Sequence, residues 1–175
     1  MRPGEGWIPH LAVLRVSHVP LELLLRRGIR GVVFDLDNTL VPYGSCHVPE
    51  DVHEWLERFR ACGLRGAVVS NALPWRVRGL AQRLGWPAVA GWPKPSPARL
   101  RRAMTVLGTT PGTTALVGDQ LFTDIWPGNR LGLFTILVEP LDRREFPTTR
   151  ISRWLEGLAG RDRMAEQGRT PAGTG

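Results

Sequence analysis

Asp35-Leu36-Asp37-Asn38-Thr39 follows directly on the apolar run Val32-Val33-Phe34, so two carboxylates and a hydroxyl stand where a buried strand runs out. The C-terminal ends of strands are where open α/β sheets bind ligands. Side chains alternate along an extended chain, so Asp35 and Asp37 point the same way and crowd one small volume. Two unit charges about 4 Å apart repel by about 4 kcal/mol at an effective dielectric of about 20. A cation or a shared proton must offset that repulsion, and either one is raw material for catalysis.

Uncommon polar residues also follow other apolar runs. Ser70-Asn71 comes after Gly66–Val69, Lys94 a short way after Ala88–Ala90, and Gly118-Asp119 with Asp124 after Ala115–Val117. Lys94 is the only lysine beside 22 arginines, four of the seven aspartates fall in two of these clusters, and the three asparagines are Asn38, Asn71 and Asn129. The abundance of Arg, Gly, Ala and Pro has the character of a coding bias, which makes the rare types informative. Each cluster has a bland reading: a turn or helix cap for Asp-x-Asp, an N-cap for Ser70-Asn71, a solvated lysine, a loop start at Gly118. Asn129 and Arg130 read as a helix end before Gly132, and the four histidines as surface or packing residues. In a parallel sheet the four clusters converge on one edge, and their joint occurrence argues for a site.

The elements that position them alternate. Apolar β-type runs at Gly31–Phe34, Gly66–Val69, Ala88–Ala90, Ala115–Val117 and Phe134–Val138 are separated by segments of helical period, which predicts a mostly parallel five-stranded sheet covered on both faces. Pro49-Glu50-Asp51 opens a helix with Val52, Trp55, Leu56 and Phe59 inward and Gly63 as its stop. A second begins near Pro74, burying Val77, Leu80, Ala81 and Leu84, and a third runs from about Ser96 to Leu107 with Leu100, Ala103 and Met104 inward. A fourth, after Asp119, meets Pro127-Gly128 and is expected to be short or kinked. Residues 1–30 read as an arm with a small helix over Pro20–Arg27, packed on the sheet edge, with a membrane-contacting segment as the alternative. Residues 31–160 read as the catalytic domain, with a last helix over Ile151–Leu158, and 161–175 as a disordered tail.

At 175 residues, 42% hydrophobic and 22% charged, the chain has the make-up of one soluble domain. Cys46 and Cys62 lack metal or redox spacing and read as free thiols. No apolar stretch approaches the roughly 20 residues that cross a bilayer, and residues 1–30 lack signal-peptide character, so the expected compartment is the cytoplasm, with peripheral contact to the inner membrane face within reach. The net charge of +7 can attract nucleic acid, anionic lipid or phosphorylated substrates, and composition does not choose among them.

Taken together the four clusters resemble the haloacid dehalogenase (HAD) superfamily of phosphotransferases, in order and spacing, over roughly residues 31–138. Asp-Leu-Asp-Asn-Thr-Leu-Val, Val-Val-Ser-Asn, Lys-Pro and Gly-Asp-Gln-Leu-x-Thr-Asp followed by Gly-Asn-Arg are similar to the YqeG family of HAD-IIIA phosphatases, related to the mitochondrial phosphatidylglycerophosphate phosphatases. The resemblance implies a three-layer Rossmann-like α/β sandwich and a Mg²⁺-dependent phosphatase. Asp35 would be the nucleophile and Asp37 the acid and base. Asp35, the Asp37 carbonyl and Asp119 would hold Mg²⁺. Ser70 and Lys94 would bind and neutralise the phosphoryl oxygens, with Thr39 and Asn71 beside them. Asp124 would fix Lys94 or a metal-bound water.

The gaps between Thr39 and Val68 and between Ser70 and Lys94 hold a helix and little more, so no cap domain is expected and the site should be open. Open sites suit phosphates carried on something large, and phosphatidylglycerophosphate is what the resemblance implies. A phosphatase of another metabolite or macromolecule is the alternative within the class. The rival outside it is a basic RNA-binding module with a residual phosphate pocket, which lacks support from any aromatic-interleaved basic strip. Oligomeric state is not legible.

Overall fold

The computed structural model describes residues 5–89 and 94–142. The expected helix over 151–158 and tail over 161–175 lie outside them. In chain order the elements are β1 (Leu11–Val13), α1 (Leu21–Arg26), β2 (Gly31–Phe34), α2 (Glu50–Ala61), β3 (Arg65–Val68), α3 (Pro74–Arg83), α4 (Pro97–Leu107), β4 (Thr114–Gly118), α5 (Trp126–Arg130) and β5 (Phe134–Val138). The sheet order is β1-β5-β4-β2-β3 and every pair is parallel. From β2 the chain steps to β3 on one side and returns to β4 on the other, so the order reverses beside β2. Such a reversal opens a crevice at the C-terminal strand ends.

The expected α/β fold with a five-stranded parallel sheet is what the structure has, but one strand differs. Ala88 makes a single bridge to Val68 in place of a strand, and Ala90 lies outside the described residues. The fifth strand is β1, whose Leu11, Ala12 and Val13 pair with Ile136, Leu137 and Val138. The arm is therefore an edge strand. Asn129 secures it, donating to the carbonyls of Gly6 and Ile8 and accepting from Thr135 Oγ1.

Alternation along the buried strands sends Val32 and Phe34 to one face and Val33 to the other. The first face packs against Trp55, Leu56 and Phe59 of α2 and Val77 and Leu80 of α3; the second packs against Leu100, Ala103, Met104 and Leu107 of α4. Phe34 stacks on Trp86 at 4.9 Å between ring centroids. That ring explains Gly66, where a Cβ would lie 2.3 Å from Trp86.

Helix ends follow local chemistry. Ser96 Oγ accepts the Arg99 N–H at the start of α4, and Gly108, at φ 61°, ends it in the left-handed conformation. The expected short helix after Asp119 is a π-turn over Leu121–Ile125 that passes into α5, where Pro127 has no N–H to donate. Cys46 and Cys62 are both exposed and unbridged. Among the described residues no helix is long and apolar enough to cross a membrane.

Candidate active site

Asp35 continues β2 by one rung, its N–H donating to Val117 O at 2.9 Å, and Asp119 follows the last residue of neighbouring β4. Both are buried, as is Asp124 on the π-turn. One carboxylate oxygen from each of Asp35, Asp119 and Asp124 lies within 4.8 Å of the others. Lys94 enters this cluster, its Nζ 2.7 Å from Asp35 Oδ1 and 2.7 Å from Asp124 Oδ1. The other Asp124 oxygen accepts from Gln120 N and Thr123 Oγ1, so Asp124 is held on both sides.

Three carboxylates against one ammonium leave the cluster short of positive charge. Burial, with the charges of Asp35 and Asp124 added, pushes the Asp119 carboxyl up to about 8. Burial raises Asp124 as well, against the pull of Lys94. For Lys94 burial works downward, but the carboxylates of Asp124 and Asp35 outweigh it and hold the ammonium above its ordinary value.

Asp37 stands apart from that cluster. Its Oδ2 accepts from Arg76 Nη1 at 3.0 Å, and its Oδ1 accepts from Arg76 Nη2 and from Gly44 N. Arg76 Nε donates to Ser45 O at 3.0 Å, and Arg83 of the same helix donates to Cys46 O, so α3 grips the loop that follows Asp37. Asn38 takes φ 60°, a conformation Asn tolerates, which turns the chain back on itself. Its carbonyl accepts from Leu141 N and its side-chain oxygen from Asp142 N.

Ser70 is buried and its Oγ accepts from Ala72 N, which leaves the O–H available to donate. The Asn71 side-chain oxygen accepts from Lys94 N at 2.7 Å and Arg99 Nη1 at 3.1 Å, so what it can offer a ligand is its NH₂ group. Arg99 Nη2 also donates to Ser70 O and Val89 O. Thr39 is fully buried, and its Oγ1 has no hydrogen-bond partner among the described residues.

The sequence reading passed over two residues here, Arg76 and Arg99. Each is a buried arginine in the first turn of its helix, four residues before an apolar core position, Leu80 and Ala103. A charge opening a buried stripe is a legible signal, since Arg is seldom buried without partners. Twenty-two arginines obscured it.

The donor set fits a hard divalent cation. The three acids offer oxygen ligands, and Asp119 Oδ1 is buried without a hydrogen-bond partner among the described residues. Asp35 Oδ1 touches Lys94 as an ion pair but receives no directed hydrogen bond. A carboxylate oxygen left in this state carries a desolvation penalty that a cation removes.

Comparison with known proteins bears on what the cluster does. The chain is 33% identical over 150 residues to the probable phosphatase YqeG of Bacillus subtilis, covering 86% of this chain and 87% of that protein. It is 33% identical over 149 residues to phosphatidylglycerophosphate phosphatase 1, chloroplastic/mitochondrial, of Arabidopsis thaliana, covering 80% of this chain and 43% of that longer protein. A family model described as mitochondrial PGP phosphatase matches residues 3–75, and one described as HAD-hydrolase-like matches residues 91–140. Among solved structures, a HAD-superfamily hydrolase from Ehrlichia chaffeensis shares the fold with a TM-score of 0.53 at 14% identity, covering 75% of this chain and 98% of that one.

Proposed function

This chain belongs to the YqeG family of HAD-superfamily phosphatases, and from that premise we propose that it is a magnesium-dependent phosphate monoester hydrolase acting through an aspartyl-phosphate, with phosphatidylglycerophosphate as substrate. The observation that carries the reading is the buried cluster of Asp35, Asp119, Asp124 and Lys94 at the sheet switch point.

In this reading Asp35 attacks phosphorus as the bond to the alcohol oxygen breaks, and Asp37 gives that oxygen its proton. Asp37 then takes a proton from water whose oxygen attacks phosphorus. The bond to Asp35 breaks, inorganic phosphate leaves, and Asp35 recovers its carboxylate. Ser70 O–H and the Asn71 amide donate to the phosphoryl oxygens, with Thr39 closing the floor beneath them, and Lys94 offsets their charge. Asp124 holds Lys94 in place. Asp35, Asp119 and the Asp37 carbonyl would hold magnesium, which when bound supplies the charge that lets an anionic nucleophile meet an anionic phosphate.

The lipid assignment draws on the plant relative's name and on the rim of the site. Tyr43 and Leu73 are exposed on the loops after Asp37 and Ser70, Trp75 in the first turn of α3 at 67% exposure, and Leu121 and Phe122 on the π-turn after Asp119. Apolar side chains around an uncapped site suit a headgroup presented at an interface. Such a substrate brings the enzyme to a membrane surface, where basic side chains favour anionic lipid.

The test is phosphate release from phosphatidylglycerophosphate in micelles beside sugar phosphates and nucleotides, with magnesium and with chelator. Chelator-sensitive turnover, fastest on the lipid, is expected. Comparable rates on small phosphates with none on the lipid contradict the lipid assignment, and no turnover of any ester contradicts the phosphatase.

A further inference from the structure

We propose that Arg76 is the positioning residue for the acid and base Asp37, and that Oδ2 of Asp37 is the oxygen that carries the proton. The inference rests on the role given to Asp37 above. Three observations support it.

The first is the hold itself. Both Nη groups of Arg76 face the Asp37 carboxylate, one to each oxygen, across 39 residues of sequence. A guanidinium fork meets a carboxylate in one plane, so it fixes the orientation of the group as well as its place. Gly44 N adds a third donor.

The second is depth. The Arg76 side chain is 9% exposed and that of Asp37 17%. The arginine is thus the more deeply buried of the two, and each of its three nitrogens already donates within the protein, Nε to Ser45 O and both Nη to Asp37. A role as phosphate ligand is the weaker account of this geometry. Among the described residues, α2 and α3 are the only helices between β2 and Lys94. The acid is therefore held from within, by the helix that follows Ser70.

The third is the asymmetry of the carboxylate. Oδ1 accepts two hydrogen bonds, from Arg76 Nη2 and Gly44 N, whereas Oδ2 accepts one, from Arg76 Nη1. A carboxylate oxygen has two lone-pair directions. Oδ2 keeps one for a proton without giving up its bond to the arginine, so the proton passes between Oδ2 and the departing or attacking oxygen while Arg76 stays in place.

The experiment compares leaving groups. An aryl phosphate such as p-nitrophenyl phosphate departs as a stable anion and gains little from a proton, whereas an alkyl phosphate needs one. Arg76→Lys keeps the charge and gives up the fork. We expect its first-turnover rate of alcohol release, which precedes the base step common to both esters, to fall about 100-fold on the alkyl ester, within the range a positioned acid contributes, with a loss below about tenfold on the aryl ester and the half-saturating concentration of both nearly unchanged. Equal first-turnover losses on the two esters, or a loss carried by the half-saturating concentration, would overturn the proposal in favour of a structural or phosphate-binding role.

The same comparison in an Asp37→Asn background provides the second measurement. Removing the carboxylate's charge leaves Arg76→Gln without an unpaired buried partner, so that double variant is expected to fold. There Arg76→Gln should leave the alkyl-to-aryl rate ratio where Asp37→Asn alone puts it, and a further fall in that ratio would overturn the coupling. If Asp37→Asn by itself leaves alkyl turnover intact, the role of Asp37 fails. If it is slow while Arg76→Lys behaves as wild type, only the inference about Arg76 fails.

Discussion

Lys94 Nζ donates to Asp124 Oδ1 at 2.7 Å, with the side chains 7% and 1% exposed. The chain's only lysine is thereby fixed by a residue thirty positions away on the π-turn. Taking one partner from a buried pair of this kind costs about 3–5 kcal/mol, because the other charge stays buried. Asp124→Asn keeps the shape and one acceptor, and Asp35 still faces the ammonium, so a loss near 3 kcal/mol is expected in denaturant titrations. Activity should fall by at least tenfold, and an Asp124→Asn protein with wild-type stability and rate would rule out this role.

The raised carboxyl of Asp119 makes metal binding pH-dependent. Its folded-state pKa of about 8 lies above the ordinary 3.8. The metal-free fold is therefore favoured by this group below about pH 4 and loses that contribution as pH rises through 8. A divalent cation must displace the proton, so its apparent affinity rises with pH, by up to about tenfold per unit for each proton displaced, and levels off above 8. Calorimetric titration with Mg²⁺ between pH 6 and pH 9 checks this, and an affinity independent of pH in that window would contradict it.

Gly118 closes β4 directly beneath Asp124. A Cβ there would lie 2.4 Å from Asp124 Cγ and 2.4 Å from Oδ2. Gly118→Ala is expected to displace Asp124 from Lys94 and to cost about 1–3 kcal/mol from overpacking. Thermal unfolding and phosphate release should fall together; an alanine variant retaining full activity would show that Asp124 can move freely.

Arg99 ties two other stretches of chain to α4, through Ser70 O and Asn71 Oδ1 on one and Val89 O on the other. Arg99→Met preserves the buried stem and leaves buried carbonyls without donors, at about 1–3 kcal/mol for each group left unpaired. A loss of at least 2 kcal/mol is expected by denaturant titration, together with a higher KM, because Ser70 and Asn71 both lose a donor that holds them. Unchanged KM would confine Arg99 to stability.

Several of these relationships are legible in the sequence and others are not. Acids after a continuous apolar run mark Asp35 and Asp119, because a fully buried parallel strand has no polar face in which to hide a charge. The α2 and α3 faces are equally plain from their 3.6-residue period. The edge strand β1 is not: three residues are too few to show a period, and its partner β5 lies more than 120 residues on, as the His10–Thr135 contacts show. Ala88 misleads for the opposite reason. It has strand-like neighbours, yet among the described residues it finds a single bridge, to Val68. The two buried arginines stand on helix stripes whose apolar members are obvious, but their partners, Asp37 and Ser70, are distant in sequence and set by the fold.

The central claim is that Asp35 attacks phosphorus with a divalent cation beside it. Asp35→Asn tests it most directly, because the amide keeps the size of the side chain and removes the nucleophile. Phosphate release from an aryl phosphate should stop in the variant, and should stop in the wild type when chelator is added and return with Mg²⁺. Full turnover by Asp35→Asn, or wild-type turnover indifferent to chelator, would contradict the account.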